Sequence, residues 1–470
     1  MTGRTIVIGG GLAGLAAATS LASRGVPVTL LESRPRLGGR ASSFVDHATG
    51  EVIDNCQHVI LGCCTNFRHF CREVGLSEFF RVEPELYFVA RDGKVNRFSA
   101  SSWLPAPLHL FGAFRRLSYL KFDELRAIAS GLRALAQCDL SNWTGRSFSE
   151  WLTAHRQTSA TVDRFWNVVL VSALSETPDR IDVGYARKVF VDSFLASRSG
   201  WEMQLPTVPL DELYGSVVTD YLERHGATVR LQSGVERLEI NENRVCGVTL
   251  RSGEVLEGTQ FILAVPHERV LGMLPEPLRQ HPSIDSVNRM SPAPITSVHL
   301  WFDAPITELP HVVLVDRLCQ WVFNRSKLHA EPANQPGPAS YYYQIVISAS
   351  HALRDRSNQQ VVDDVVRELQ DVWPEARTAR RIHSRVVTEH TAVFSPRPGI
   401  DALRPEQQSP IENLQFAGDW TRTGWPATME GAVRSGYLAA QNVLAQRGQS
   451  ESLPQPDLPV AFLSRLFFGL

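Results

Sequence analysis

Lysine is scarce in this chain of 470 residues, and arginine carries almost all of the basic charge. The chain has 47 basic and 49 acidic residues, and its only lysines are Lys94, Lys121, Lys188 and Lys327. The net charge of −2 lacks the basic excess typical of nucleic-acid binding, so we expect no nucleic-acid partner. Any chemistry that needs a lysine amine is limited to these positions.

The sequence also lacks metal-binding and membrane-spanning patterns. Its seven cysteines form no Cys-x-x-Cys pair and no zinc-finger spacing with histidine, so we expect free thiols and no metal. No uninterrupted apolar run reaches the roughly 18 residues of a transmembrane helix. The first strand pattern begins at Thr5, which leaves no room for a signal peptide ahead of it. These absences predict a cytoplasmic protein.

A glycine turn joins a strand to a helix near the N-terminus. Thr5–Ile8 and Val28–Leu31 are short apolar strands, and Gly9, Gly11 and Gly14 between them fit the G-x-G-x-x-G spacing. In that motif the first glycine makes the tight turn, the second admits a pyrophosphate close to the backbone, and the third packs helix on strand. The helix N-terminus that follows can hold phosphate charge.

The residues after the second strand indicate which dinucleotide is bound. Glu32, followed by Ser33, ends that strand, where a carboxylate accepts hydrogen bonds from an adenosine ribose. Gly38, Gly39 and Arg40 then provide backbone room and positive charge beside a pyrophosphate. This second glycine run favours FAD over NAD.

The C-terminal end of the chain adds the remaining cofactor contacts. Gly418 and Asp419 follow a short strand, and a helix is predicted over Thr428–Leu438. Asp419 is placed to hold ribityl and phosphate-side hydroxyls, and the helix N-terminus to stabilise negative charge on a reduced flavin. The predicted FAD contacts are Gly9, Gly11, Leu12, Ala13, Gly14, Glu32, Ser33, Gly38, Gly39, Arg40, Val235, Gly418, Asp419 and Met429.

This order of elements predicts an α/β protein with a discontinuous, Rossmann-like FAD domain of the glutathione reductase type. Residues 1–72, 207–290 and 395–446 are assigned to that domain, and residues 73–206 and 291–394 to a substrate cap, the first piece mainly helical and the second α+β. Strands at 229–231, 235–240 and 244–250 are expected to form an antiparallel meander, and 331–338 a surface loop. Residues 447–470 form an apolar tail.

The glycine motifs and the final Gly-Asp resemble the FAD-dependent amine oxidase and phytoene desaturase superfamily. Three further runs, Asp54–His58, Leu104–Leu110 and Pro426–Gly436, are similar to hydroxysqualene dehydroxylases, which serve hopanoid and C30 carotenoid synthesis. Departures from that pattern, Cys56 for Gly, Cys63-Cys64 for Ala-Tyr and Ser175-Glu176 for Asn-Thr, leave the flavin motifs untouched. The resemblance implies reductive removal of an allylic hydroxyl from hydroxysqualene, giving squalene, with hydride from reduced FAD.

Such a reaction needs an acid and an apolar chamber. His58 is the predicted acid, with Asp54 orienting it, and Glu430 is a second candidate or a positioning residue; Glu176 is a weaker candidate on the cap. The structural alternative for His58 is a hydrogen-bonded histidine without a catalytic role. The aromatic residues expected to line the chamber, or else to pack in the core, are Trp166, Tyr342 and Trp425.

Two apolar segments point to a surface contact. One segment is Trp103–Phe114, which is followed by Arg115, Arg116 and Lys121, and the other is the tail Leu458–Leu470. Both could lie in the interface of the cytoplasmic membrane at its inner face. The alternative is that they pack on the protein itself or on a second copy in a homodimer.

Other functions share the flavin motifs. A carotenoid-type desaturase or oxidase would use the same cofactor to oxidise its substrate. An amine oxidase is less expected, because none of the four lysines of this chain is an obvious counterpart of the lysine that amine oxidases carry beside the flavin. The non-enzymatic alternative is a flavin-holding scaffold that presents polyprenoid intermediates to other squalene-pathway enzymes.

Overall fold

The computed structural model describes residues 3–329 and 340–470, so the loop expected at 331–338 lies outside the described residues. The strands of the described residues are β1 Thr5–Ile8, β2 Val28–Leu31, β3 Ser43–Val45, β4 Val52–Asp54, β5 Ile60–Leu61, β6 Phe80–Glu83, β7 Leu86–Val89, β8 Val95–Phe98, β9 Met203–Pro206, β10 Thr228–Arg230, β11 Val235–Asn241, β12 Arg244–Leu250, β13 Val255–Glu257, β14 Gln260–Leu263, β15 Pro292–Phe302, β16 His311–Leu314, β17 Trp321–Asn324, β18 Tyr341–Ser348, β19 Arg381–Phe394 and β20 Leu414–Phe416.

The α-helices in the same part of the chain are α1 Leu12–Ala22, α2 Thr65–Val74, α3 Phe111–Arg115, α4 Phe122–Ala136, α5 Phe148–Ala154, α6 Ser159–Thr161, α7 Asn167–Leu174, α8 Val183–Phe190, α9 Val218–Arg224, α10 His267–Met273, α11 Glu276–Arg279, α12 Pro282–Asn288, α13 Arg325–Leu328, α14 Asn358–Val372, α15 Glu375–Thr378, α16 Met429–Gln446 and α17 Phe462–Phe468. Turns of π-helix at Val162–Trp166 and Val191–Leu195 interrupt the helical part of the cap.

A parallel sheet of five strands, in the order β10-β2-β1-β14-β20, forms the centre of the dinucleotide domain. Its strands come from both ends and the middle of the chain, because Thr5 pairs with Val28 on one side and Gln260 on the other. Strands β1, β2 and β14 are buried throughout, which explains their continuous apolar sequences. Helices α1 and α16 pack together beside the sheet.

One predicted strand belongs to a different sheet. The segment expected at 229–231 in the meander is β10, which pairs in parallel with β2, and the meander consists of β11, β12 and β13. The prediction was wrong because β10 is a short edge strand of three residues. Its sequence is compatible with a parallel partner and with an antiparallel one.

The cap is built on a seven-stranded sheet in the order β19-β15-β18-β17-β16-β7-β8. Strands β7 and β8 come from the first cap segment, which is therefore less helical at its start than its composition suggested; β6 and β9 are also strands there. Residues 108–195 of that segment are largely helical. The shared sheet makes the two cap segments one structural unit.

Substituting Gly436 with alanine should destabilise the dinucleotide domain. A Cβ there would lie 2.2 Å from the Ala13 carbonyl oxygen and 3.0 Å from the Ala16 Cβ, where α1 and α16 cross. We expect Gly436→Ala to lower the free energy of unfolding by about 1–3 kcal/mol, measured by urea unfolding with tryptophan fluorescence. Gly272→Ala is the matched control, because a Cβ in α10 meets nothing within 4 Å. Equal stability of the two variants would contradict this packing.

Candidate active site

A large cavity runs from the glycine turn into the cap. Its volume is about 830 Å³, and residues of the dinucleotide domain line one part and apolar cap residues the other. All but one of the predicted FAD contacts line it: Gly9, Gly11, Leu12, Ala13, Glu32, Ser33, Gly38, Gly39, Arg40, Val235, Gly418, Asp419 and Met429. The exception is Gly14, which lies behind the turn; a Cβ there would come 1.9 Å from the Gly9 carbonyl oxygen.

Two glycine runs face each other across this part of the cavity. The Gly38 amide donates to the Gly10 carbonyl at 2.8 Å, and a Cβ on Gly39 would reach the Gly11 Cα at 3.0 Å. Gly11 is the N-cap of α1, where no side chain caps the helix and no acidic residue occupies the first turn. The uncapped amides and the absence of side chains suit a phosphate group.

The Glu32 carboxylate is fixed at the end of β2. Its Oε2 accepts from the Gly10 amide at 2.8 Å and its Oε1 from the Arg34 amide at 2.7 Å. The side chain lines the cavity in this fixed orientation, which leaves oxygen lone pairs for ribose hydroxyls.

An ion pair joins the N-terminal and C-terminal halves of the cofactor site. The Arg40 Nη2 lies 2.7 Å from the Asp419 Oδ1, and its Nη1 donates to the Ala392 carbonyl at 2.8 Å. A buried arginine that no motif indicated, Arg404, donates to the backbone carbonyls of Asp419 and Thr421. Asp419 is thus held from both its side chain and its backbone.

Glu430, predicted as a second acid or a positioning residue, lines the cavity, and neighbouring groups hold its carboxylate. Its carboxylate accepts from the Asn66 side-chain amide at 2.8 Å and the Phe67 backbone amide at 2.8 Å, and it pairs with Arg434 at 3.3 Å. Burial raises the pKa of Glu430, while the hydrogen bonds oppose that shift. Because these groups occupy the carboxylate, Glu430 connects the start of α16 to the first turn of α2.

Asp54 does not orient His58. Its Oδ2 lies 2.5 Å from the Arg325 Nη2, and its Oδ1 accepts from Ser43 and from the Leu210 amide. Burial acts to raise the pKa of Asp54, but the Arg325 guanidinium and these hydrogen bonds bring it below the ordinary value. Arg325 also donates to the Gln57 side chain, so it fixes both residues that flank Asn55 and Cys56. No sequence motif marked Arg325.

His58 lines the cavity but is unsuited to act as an acid. Its Nδ1 lies 3.0 Å from the Cys56 carbonyl oxygen, which makes Nδ1–H the donor and leaves Nε2 as an acceptor. Burial lowers the pKa of His58, which favours the neutral ring. A neutral imidazole can orient or accept a proton, whereas a general acid would need the imidazolium.

Two of the three predicted chamber aromatics lie elsewhere. Trp166 is fully buried and donates from Nε1 to the Gln157 side chain; Phe165 lines the cavity instead. The π-helical turn at Val162–Trp166 rotates the side-chain register, which helical periodicity cannot anticipate. Of the three, Trp425 lines the cavity as predicted.

Tyr342 is placed outside the cavity by its position along β18. Strand alternation puts it on the same face as Val346 and Ser348, which line the cavity, but about 13 Å from Val346 along the strand. There its ring stacks on Trp301 at 4.6 Å and its hydroxyl bonds the His299 Nδ1 at 2.7 Å.

Glu176 is also outside the cavity lining. Its carboxylate is fully buried, accepts from Ser395 at 2.6 Å, and faces Arg180 at 3.0 Å and His351 at 3.2 Å. The residue ties cap elements together.

These features define a flavoenzyme fold with a cofactor cradle and a substrate chamber. The sequence matches the family model for flavin containing amine oxidoreductases over residues 12–444. The chain therefore belongs to this family, binds FAD and is an FAD-dependent oxidoreductase.

The relatives in sequence include carotenoid desaturases. A 15-cis-phytoene desaturase from Solanum lycopersicum is 26% identical over 459 residues, covering 93% of this chain and 77% of the relative. A probable zeta-carotene desaturase from Synechococcus elongatus is 26% identical over 477 residues, covering 94% of this chain and 98% of the relative.

Solved structures share the fold at lower identity. An oxidoreductase from Methanosarcina mazei superimposes with a TM-score of 0.71 at 16% identity, covering 94% of this chain and 100% of the other. Cyclohexylamine oxidase from Brevibacterium oxydans gives a TM-score of 0.68 at 19% identity, covering 95% of this chain and 100% of the other. The Rossmann-like FAD domain with an inserted substrate cap is the common architecture.

Substituting Gly39 with alanine should weaken flavin binding, whereas the same substitution at Gly25 should not. Both Gly39 and Gly25 have positive φ, at 62° and 71°, so alanine costs about 1–2 kcal/mol of backbone strain at either position. Only at Gly39 does the added Cβ enter the cradle; at Gly25 nothing lies within 4 Å. We expect Gly39→Ala to bind FAD about tenfold or more weakly, and Gly25→Ala to bind it normally, in titrations followed by flavin fluorescence. If the two variants bound FAD with equal affinity, the facing glycine runs would not be part of the FAD site.

Proposed function

We propose that this protein carries out FAD-dependent redox chemistry on a long polyprenoid hydrocarbon, and that desaturation of a carotenoid-type substrate is its reaction. The observation that carries this proposal is the continuity of the cavity, which passes from the cofactor residues into an apolar chamber in the cap. A polar substrate would find few partners there.

Aromatic and aliphatic side chains from both cap segments line the chamber. They include Leu86, Phe88, Phe98, Phe114, Leu117, Leu132, Phe165, Val168, Val169, Phe190, Phe194, Trp201, Trp321, Phe323 and Val346. Such a lining removes apolar surface from water and excludes water from the reacting carbons, which suits a hydrocarbon chain. The aromatic faces can also stabilise positive charge that develops on an alkene.

The family relatives support the same substrate class. The relatives described above are named as desaturases of phytoene and zeta-carotene, and the similarity extends over more than nine-tenths of this chain. Bound FAD supplies a two-electron acceptor or donor to the cavity. The chain contributes the apolar chamber and the His58 ring at its wall.

A second reaction on the same substrate class is the reductive conversion of hydroxysqualene to squalene. The run Asp54–His58 and the segment Pro426–Gly436 favour it, because their resemblance to hydroxysqualene dehydroxylases is closer than that of the shared glycine motifs. Both segments contribute residues to the cavity wall.

Anaerobic turnover of the FAD-loaded protein should separate the two reactions. Oxidised protein mixed with 15-cis-phytoene or zeta-carotene should bleach the flavin and yield a product with more conjugated double bonds, detected by chromatography and absorbance. If the reduced protein instead converts hydroxysqualene to squalene and changes neither carotenoid, the reaction is dehydroxylation and not desaturation. Absence of turnover on all three substrates would leave the flavin-holding scaffold as the function.

We further propose that the protein collects its substrate from an anionic membrane surface, at the inner face of the cytoplasmic membrane. Trp103 and Phe122 are 80% and 76% exposed, and Phe111 lies between them with its ring 5.8 Å from the Arg115 guanidinium. Residues 103–122 include three basic residues and no acidic one. Exposed aromatics beside basic side chains suit the headgroup region of anionic lipids.

The same segment also forms part of the chamber wall. Phe114, Leu117 and Tyr119 line the cavity, while Trp103, Phe111 and Phe122 face outward. The tail helix α17, which contacts α4, adds exposed Phe462 and Leu466. No helix of the described residues is long and apolar enough to cross a bilayer. The proposed contact is therefore peripheral.

Removing the exposed aromatics should release the protein from lipid. We expect the triple variant Trp103→Ser, Phe111→Ser, Phe122→Ser to cosediment about tenfold or more weakly with vesicles of phosphatidylglycerol and phosphatidylcholine, since each buried apolar side chain contributes roughly 1.5–3 kcal/mol. Val45→Ser, Val255→Ser, Ile382→Ser is the matched control, because these residues are also exposed but lie on β3, on the meander and on β19 at the far edge of the cap sheet. If the wild-type protein does not bind such vesicles and is a dimer in sedimentation experiments, the exposed aromatic surface is an interface with a second copy.

A further inference from the structure

A charged pair lies in the largely apolar cap wall of the cavity. Lys188 on α8 and Asp192 one turn later both line the cavity, with Nζ and Oδ2 2.7 Å apart. Their side chains are 19% and 27% exposed, and Val189, Phe190 and Phe194 line the cavity around them. Placing charges in such a wall costs free energy of desolvation, so the pair is a candidate for a function.

The pair is connected to the protein surface by the C-terminal segment. The Lys188 Nζ is also 3.5 Å from the Asp457 Oδ2, and the Asp457 side chain is 45% exposed. Asp457 pairs in addition with Arg434, and both cations lie over the Trp425 ring, at 4.3 Å for Lys188 and 5.6 Å for Arg434. Asp457 thus gives the buried amine a contact with solvent.

Other ionisable residues of the wall are held by neighbouring groups or lie at the cofactor end, where Glu389 precedes Ala392 on β19. The Glu430 carboxylate is held by the backbone and side chain of α2, and the His58 Nδ1 donates to the Cys56 carbonyl while burial lowers the pKa of the ring. Arg164 is paired with Glu124, and an arginine does not release its proton in proteins. Lys188 and Asp192 form an ion pair within the cap lining, so one proton can pass between groups of opposite charge there.

We propose that Lys188 and Asp192 are the proton-exchanging residues of this enzyme, with Asp457 linking them to solvent. This inference rests on the proposed function. Each new double bond releases two hydrogens from adjacent carbons: one leaves as hydride, whose electron pair goes to the cofactor, and the other as a proton to the Asp192 carboxylate. In the reductive reaction the Lys188 ammonium gives its proton to the hydroxyl, which leaves as water, and hydride from the cofactor takes its place on carbon.

The test uses the FAD-loaded protein with the substrate that the wild type turns over. Asp192→Ala and Lys188→Ala should bind FAD normally and react about 100-fold to 10,000-fold more slowly. Added formate should restore part of the Asp192→Ala rate, and methylamine part of the Lys188→Ala rate, because a small acid or base can occupy the space of the missing side chain. A purely structural role would give no such rescue.

Lys94→Ala is the matched control, since this exposed lysine lies on the surface, paired at 3.6 Å with Asp92. We expect it to react at the wild-type rate and to be insensitive to methylamine. FAD-loaded Asp192→Ala and Lys188→Ala proteins that turn over within about threefold of wild type would overturn the role of the pair while leaving the proposed function intact. A wild type inactive on every polyprenoid would overturn both.

Discussion

The contact between Arg40 and Asp419 is the interaction on which the site depends. The whole cap lies between these two residues in the sequence, yet their side chains meet at 2.7 Å beside the cofactor cradle. Arg404 holds Asp419 from the other side through its backbone carbonyl. Because each partner comes from a different end of the chain, the cavity exists only when the parallel sheet has been completed by β14 and β20.

Buried polar groups behind the cavity wall fix its other side. The Asp54–Arg325 pair connects the loop before His58 to the cap sheet, and both side chains are almost fully buried. An ion pair in such a place contributes little net stability, but loss of either partner would leave an unpaired buried charge. The pair thereby defines one arrangement of the loop that carries Gln57 and His58.

The cofactor half of the site was predictable because backbone geometry prescribes its residues. Gly9 needs positive φ, Gly14 has no room for a Cβ, and Glu32 ends a buried strand, so sequence spacing alone marks them. The cap half offered no such rules. Because of a π-helical turn, Phe165 lines the cavity and Trp166 does not. Lys188 and Arg325 reach their positions through tertiary packing that no local sequence pattern encodes.

The last elements of the chain have a consequence for biogenesis. Strand β20 forms an edge of the parallel sheet, and α16 packs on α1, which is buried along its whole length. Gly436 lies more than 400 residues after α1, so the face of α1 that packs on α16 stays uncovered until α16 has been made and has folded. Intermediates that lack α16 therefore expose apolar surface and are prone to aggregate.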